Sequence, residues 1–89
     1  MLNKYLVEFV GTLFFLYVIL ATNNAIAIGI ALAIAIMVGG SISGGMFNPA
    51  VTLMMAAAGK LSHKDVVPYI IAQIAGGLVA LELFKRVKF

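Results

Sequence analysis

The chain contains a helix start at a place where a membrane-spanning segment would be expected to continue. Asn48 and Pro49 lie in the middle of an almost wholly apolar sequence and are followed by Ala50, Val51 and Thr52. Asparagine is a strong N-cap, and proline at the first helical position fixes φ and lacks an N–H that would be unpaired there. A helix N-terminus at membrane depth is tolerated only where protein covers it or where it lines a water-filled cavity. The Asn-Pro-Ala turn therefore predicts a pore element.

Composition indicates an integral, multi-pass membrane protein. Of the 89 residues, 64% are hydrophobic and 10% are charged, which is more apolar surface than a soluble domain of this size can bury. The net charge of +3 comes from basic residues near the segment ends, so it does not indicate a nucleic-acid partner. The chain has no cysteine, so disulfides and thiolate metal sites are excluded. A cleaved signal peptide is not expected, because Glu8 interrupts the first apolar run.

The apolar stretches predict one membrane domain over residues 1–89. Transmembrane helices are expected at about 5–21, 25–40 and 66–84. Residues 41–58 hold a glycine-rich loop and a half-helix that begins at Pro49. This half-helix covers about 15 Å, roughly half the hydrocarbon thickness, so a re-entrant element is expected.

The predicted fold class is an all-α membrane protein. Alternating Ile and Ala in the second stretch suggest a strand, but an unpaired strand would leave its backbone polar groups unmet in lipid. At the last helix, Ser62 is predicted to be the N-cap, with Asp65 three residues later and Pro68 in the first turn.

Several stretches resemble the aquaporin family, the major intrinsic proteins. The most specific is S-G-x-x-x-N-P-A-V-T over residues 43–52, and the others are residues 8–12, 40–44 and 69–77. Met46 departs from the histidine common two residues before the family's asparagine, and it is a candidate for the pore mouth. The resemblance implies half of an inverted repeat, a half-aquaporin, so the second half of a pore is expected from another chain.

Balanced charge points to a second copy of the same chain. With three spans and one re-entrant element, Lys4, Lys60 and Lys64 share one side of the membrane. The opposite side carries Lys85, Arg86 and Lys88. Three basic residues on each side give almost no orientation preference, as a dual-topology protein requires. The predicted pore unit is an antiparallel homodimer, and analogy with the family suggests four such dimers in one assembly.

The resemblance implies roles for individual residues. Asn48, with Pro49 and Ala50, would direct its amide N–H groups and the half-helix dipole at a passing solute. Glu8 and Gln73 would brace the re-entrant loop, as their family counterparts do.

Gly29, on a face of small residues with Ala25 and Ala33, would lie at a helix crossing on the two-fold axis. The selectivity filter would comprise four apolar positions, Ile28 from one copy and Ile36, Gly45 and Val51 from the other.

Two functional classes follow. One is a passive channel for water and small neutral solutes of glycerol or urea size. The other is a non-conducting structural membrane subunit, or a half that pairs with a different second half. The sequence holds no catalytic set, metal-ligand spacing or phosphate loop, so no enzyme activity, cofactor or metal is expected.

Overall fold

A computed structural model describes residues 3–87, and this part of the chain is helical without strands. Its elements are α1 (Lys4–Thr22), α2 (Ala25–Ser43), α3 (Pro49–Ala57), a single 3-10 turn (His63–Asp65) and α4 (Val66–Arg86). The predicted all-α fold class is confirmed. Residues 1–2 and 88–89, which include Lys88 of the predicted charge balance and the ends of the predicted domain, lie outside the described residues.

Three helices are long and apolar enough to cross a membrane. They are α1 and α2, each of 19 residues, and the 24-residue stretch His63–Arg86. The longest dimension of the described structure is 40 Å, close to the full thickness of a bilayer with its headgroups. Helix α3 has only 9 residues and extends for about 14 Å, so it cannot span. The chain is therefore an integral membrane protein.

The ends of α2 are set by a cap and a left-handed glycine. Asn24 begins the helix, and its Oδ1 accepts a hydrogen bond from the Ala27 N–H at 2.9 Å. The helix runs to Ser43, beyond the predicted end near residue 40. Gly44 then ends it with φ +91°, a conformation that glycine adopts without a Cβ penalty. The last turn of α2 is therefore helical although it lies in a glycine-rich stretch.

Helix α1 packs against α2 on one side and α4 on the other, and α3 packs against α4. Gly76 permits close approach of α1 and α4, because a Cβ there would lie 2.6 Å from the Phe9 carbonyl oxygen. This is how small residues bring membrane helices together.

The interior is small and partly polar. The largest fully buried side chains are Tyr69, Gln73, Glu8, Thr12 and Thr52. Large aliphatic side chains instead face outward, as with Ile26, which is 73% exposed. In lipid, helices associate through close packing and hydrogen bonds rather than by burying aliphatic surface, and this distribution follows from that rule.

The polar segment before α4 is held to α1 by Asp65. The Asp65 carboxylate accepts hydrogen bonds from Lys4 Nζ at 2.8 Å and from the Tyr5 hydroxyl at 2.6 Å. Ser62 precedes the 3-10 turn, but its side chain makes no capping hydrogen bond. The predicted capping role of the Ser62 hydroxyl is therefore wrong. The buried Asp65 carboxylate instead accepts from the Lys4 ammonium and the Tyr5 hydroxyl of α1, and these hydrogen bonds are stronger because the acceptor is charged.

Candidate functional site

Asn48 caps the short helix α3. Its backbone is extended, with φ −161°, and its Oδ1 accepts hydrogen bonds from the N–H groups of Ala50 at 2.7 Å and Val51 at 3.4 Å. Pro49 occupies the first turn, where its missing N–H is tolerated. Asn48, Pro49 and Ala50 are all exposed in this single chain. Because the cap uses the oxygen of the amide, the Nδ2 group remains available as a hydrogen-bond donor.

The loop that leads to Asn48 has an unusual backbone. Gly44, Gly45 and Phe47 all have positive φ, at +91°, +67° and +52°. Glycine adopts such angles readily, whereas a bulky residue does so only where its surroundings over-determine the conformation. Phe47 is 2% exposed and directly precedes Asn48.

The Glu8 carboxylate holds this loop in place. Oε2 accepts from Ser43 Oγ at 2.7 Å and from the Met46 N–H at 3.1 Å. Oε1 accepts from the Phe47 N–H at 2.8 Å and from Gln73 Nε2 at 2.8 Å. All four neighbours are donors, a set of partners that an ionised carboxylate satisfies because it only accepts. Two backbone N–H groups of a buried loop are thereby paired, as buried backbone polar groups require.

Gln73 carries the same network to α3. Its Nε2 also donates to Thr52 Oγ1 at 2.8 Å, and the Thr52 hydroxyl donates to the Asn48 carbonyl at 2.9 Å. The Tyr69 hydroxyl, also on α4, donates to the Ser43 carbonyl at the start of the loop. Side chains of α1 and α4 therefore fix the backbone on both sides of Asn48.

Asn48 and Pro49 line a groove between α1 and α4 with a volume of about 490 Å³. Thr12 and Gln73 also line it, and the other lining residues are apolar or glycine. Within residues 3–87, Thr12 Oγ1 and Gln73 Oε1 are buried without a hydrogen-bond partner. The groove is thus an apolar wall with a small number of polar groups near the α3 N-terminus, as is common where small ligands bind.

The four positions assigned to a filter do not all lie together within one chain. Ile36 and Gly45 are neighbours, since a Cβ on Gly45 would lie 3.5 Å from Ile36 Cγ1. Val51 is half-buried in the first turn of α3. Ile28 is half-buried and lies two turns before Ile36 on α2, a separation of about 12 Å. A single chain therefore does not bring the four together, and their assignment to one filter remains a prediction about two chains.

Gly29 faces open space in the single chain, because a Cβ there would have nothing within 4 Å. Its neighbours on the small face, Ala25 and Ala33, are exposed as well. Met46, proposed for the pore mouth, is instead 5% exposed and packs inside the chain. That interpretation of Met46 is wrong for the described structure, because the side chain is buried and its Cε lies beside Gly44 of the same loop.

Two features of the site have little signal in the sequence. Phe47 has a left-handed backbone conformation, which is usual for glycine or asparagine but not for phenylalanine, so its residue type does not indicate the conformation. Gly11 leaves the space that the Phe47 ring occupies. The only signal in the sequence is the three-residue spacing of Glu8 and Gly11, which places both on the same side of α1.

Comparison with known proteins gives a consistent picture. A family model described as Major intrinsic protein matches residues 1–88. The chain is 43% identical over 88 residues to Glycerol uptake facilitator protein-like 6 of Lactiplantibacillus plantarum, an alignment covering 89% of this chain and 41% of the relative. It is 42% identical over 96 residues to Aquaporin Z of Brucella melitensis, covering 90% of this chain and 42% of the relative. The chain thus spans about two fifths of the length of these relatives.

Proposed function

The chain belongs to the major intrinsic protein family, and from that membership we propose that it forms a passive membrane channel for water and small neutral solutes of glycerol or urea size. Its relatives include a protein named for glycerol uptake and one named an aquaporin, which supports both solute classes. Proteins of the family are channels and not enzymes, and the proposal assigns no catalytic role to this chain.

The observation that carries the proposal is the exposed Asn48 cap on α3. Helix α3 is too short to span, and in the proposed re-entrant arrangement its N-terminus would lie within the thickness of the bilayer. The partial positive charge of a helix N-terminus opposes the entry of cations. The Asn48 amide N–H groups supply donors for an uncharged solute oxygen. Together they favour neutral hydrogen-bonding solutes over ions.

We propose that an inverted second copy completes the pore. Asn48, Pro49 and Ala50 are exposed at the N-terminus of α3, and a two-fold axis in the membrane plane would bring two such ends face to face. The exposed small face of α2 around Gly29 would let the two copies approach closely. Four such dimers in one assembly would follow the analogy with the family. A different second half is the competing partner.

The charges support insertion in both orientations. On the side of the α1 N-terminus, Lys4 pairs with Asp65, and Lys60 and Lys64 are exposed. On the other side, Lys85 and Arg86 each lie 3.4 Å from Glu82. Basic residues near the ends of spans set orientation, and acidic residues contribute little. The described residues therefore hold three basic side chains against two, before Lys88 is added.

Osmotic swelling of proteoliposomes tests the channel. The purified chain, reconstituted alone, should accelerate water efflux and admit glycerol or urea, whereas Asn48→Ala should reduce both fluxes. Absence of flux from the folded chain would contradict the proposal and favour the non-conducting subunit. Flux that appears only after co-reconstitution with a different second half would retain the channel and reject the homodimer.

Orientation is tested separately. Reporter fusions at the carboxyl terminus should report both sides of the membrane in comparable amounts. Replacing Lys60 and Lys64 with Gln removes basic residues from the side of the α1 N-terminus. The population should therefore shift toward the orientation with the carboxyl-terminal end of α4 in the cytoplasm. A single orientation in the parent chain would rule out the antiparallel dimer.

A further inference from the structure

Phe47 combines a strained backbone with a closely fitted ring. Its φ of +52° is unusual for a bulky residue, and its side chain is almost fully buried. Conformations of this kind persist where the surroundings over-determine them, and they cluster at functional sites. The residue that follows is Asn48, so the orientation of the cap depends on the backbone of Phe47.

The ring of Phe47 is seated on glycines from two helices. A Cβ added to Gly11 of α1 would lie 2.6 Å from Phe47 Cζ and closer still to Cε1. A Cβ added to Gly39 of α2 would lie 3.2 Å from Cζ. The absence of side chains at Gly11 and Gly39 therefore leaves space, called the notch below, that the ring occupies.

Two further observations indicate that the position of this ring affects the surroundings of Asn48. The Phe47 N–H is fixed at 2.8 Å by Glu8, so backbone and side chain are held from the same helix α1. The ring also lines both the groove that contains Asn48 and a second, apolar groove between α1 and α2. Phe47 thus separates the Asn48 groove from the apolar one, and movement of the ring would move both the wall and the adjoining cap.

We propose that Phe47, seated in the notch formed by Gly11 and Gly39, is a positioning residue that sets the orientation of the Asn48 amide and thereby the selectivity of the channel for neutral solutes over ions. This inference rests on the proposed function for its transport consequence. The positioning itself is a property of the folded chain and is measurable without transport.

A double-mutant cycle tests the fit. Gly11→Ala places a methyl group against the ring, and Phe47→Leu shortens the side chain without a clash. Each single variant should change the orientation of Asn48, and the double variant should restore it in part, because the added methyl group and the shortened side chain compensate. Gly40→Ala is the matched control, since its Cβ would meet only Ile36 Cγ2 at 3.8 Å.

Nuclear magnetic resonance supplies the readout that does not depend on transport. The chain has four asparagines, Asn3, Asn23, Asn24 and Asn48, so ¹⁵N-asparagine labelling gives four side-chain amide signals, and Asn48→Ala identifies one of them. The Asn48 signal should move in Gly11→Ala and in Phe47→Leu, return toward the parent in the double variant, and stay unchanged in Gly40→Ala. An unmoved Asn48 signal in folded single variants would overturn the inference.

Flux measurements give the consequence. In proteoliposomes, each single variant should raise cation leak relative to glycerol flux, with a coupling of about fivefold between the two changes in the double-mutant cycle. Additive effects, or an unchanged ratio in a conducting protein whose Asn48 signal has moved, would overturn the link to selectivity. If the parent conducts nothing, the proposed function fails, while the nuclear magnetic resonance cycle still decides whether Phe47 positions Asn48.

Discussion

The Gln73 amide donates to the Glu8 carboxylate, Nε2 to Oε1 at 2.8 Å, and so joins α4 to α1 across 65 positions of the sequence. The same carboxylate pairs two loop N–H groups, and the same amide reaches Thr52 on the half-helix. One buried contact therefore ties α1 and α4 to the loop that presents Asn48.

Glu8→Gln should destabilise the fold severely. Glutamine replaces one carboxylate oxygen with an NH₂ group, which would face N–H or O–H donors and leave them unpaired. We expect a loss of about 3 kcal/mol in unfolding free energy, measured by denaturation with an ionic detergent. The matched control is Glu82→Gln, because Glu82 is half-exposed and has only long contacts to Lys85 and Arg86. It should change stability by less than about 0.5 kcal/mol. Equal effects would show that the Glu8 network contributes little.

Asp65→Asn should loosen the polar segment between α3 and α4. Asparagine keeps an acceptor for Tyr5 but loses the charge that pairs with Lys4 at 2.8 Å. Local opening should therefore become easier, and trypsin cleavage after Lys60 and Lys64 should accelerate about tenfold. Ser62→Ala is the control, because the Ser62 side chain makes no capping hydrogen bond. Cleavage as slow as in the parent would contradict the role given to Asp65.

Local chemistry made part of this structure predictable. Asn48 and Pro49 carry a helix start in their own side chains, and α3 begins there. The lengths of the apolar runs predicted three spanning helices, because hydrocarbon thickness fixes the length required.

The remainder depends on contacts between distant parts of the chain. The sequence pattern predicts Ser62 as the N-cap with Asp65 three residues later, but the Ser62 side chain makes no capping hydrogen bond, and the Asp65 carboxylate accepts from Lys4 and Tyr5 of α1, which are distant in sequence. The notch at Gly11 was equally hidden, because a glycine in a membrane helix does not say which side chain fills its space. Positive φ at Phe47 runs against the preference of its residue type, so only the packing around it explains it.

Gly29→Leu should abolish the proposed dimer while leaving the single chain folded. A Cβ on Gly29 meets nothing within 4 Å inside the chain, so the cost arises only where a second copy approaches. Gly76→Leu makes the informative contrast, because its Cβ would overlap the Phe9 carbonyl and should disrupt the fold itself. Crosslinking in membranes reports dimers, and circular dichroism reports folding. Persistent dimers with unchanged flux would place the helix crossing elsewhere.

Asn48→Asp should damage selectivity more than folding. A carboxylate keeps an acceptor for the Ala50 and Val51 N–H groups, and a negative charge is favourable at a helix N-terminus. It removes the amide donors, however, and would place two negative charges at the centre of the dimer, so cation leak should rise in proteoliposomes. Asn24→Asp is the matched control, since Asn24 caps α2 through the same type of hydrogen bond. Unchanged conductance and water flux in Asn48→Asp would remove the central role of Asn48.

Val51→Arg tests the proposed filter. Val51 is half-buried in the first turn of α3, and together with Ile28, Ile36 and Gly45 it would form an apolar constriction without a cation. In the antiparallel dimer the variant places one guanidinium near each mouth, narrowing the passage and supplying donors that hold water. Flux of glycerol or urea should therefore fall more than flux of water. Val67→Arg is the control, because Val67 is 63% exposed in the first turn of α4 and should leave the ratio of the two fluxes unchanged. Equal losses of solute and water flux in Val51→Arg would show that Val51 does not line the filter.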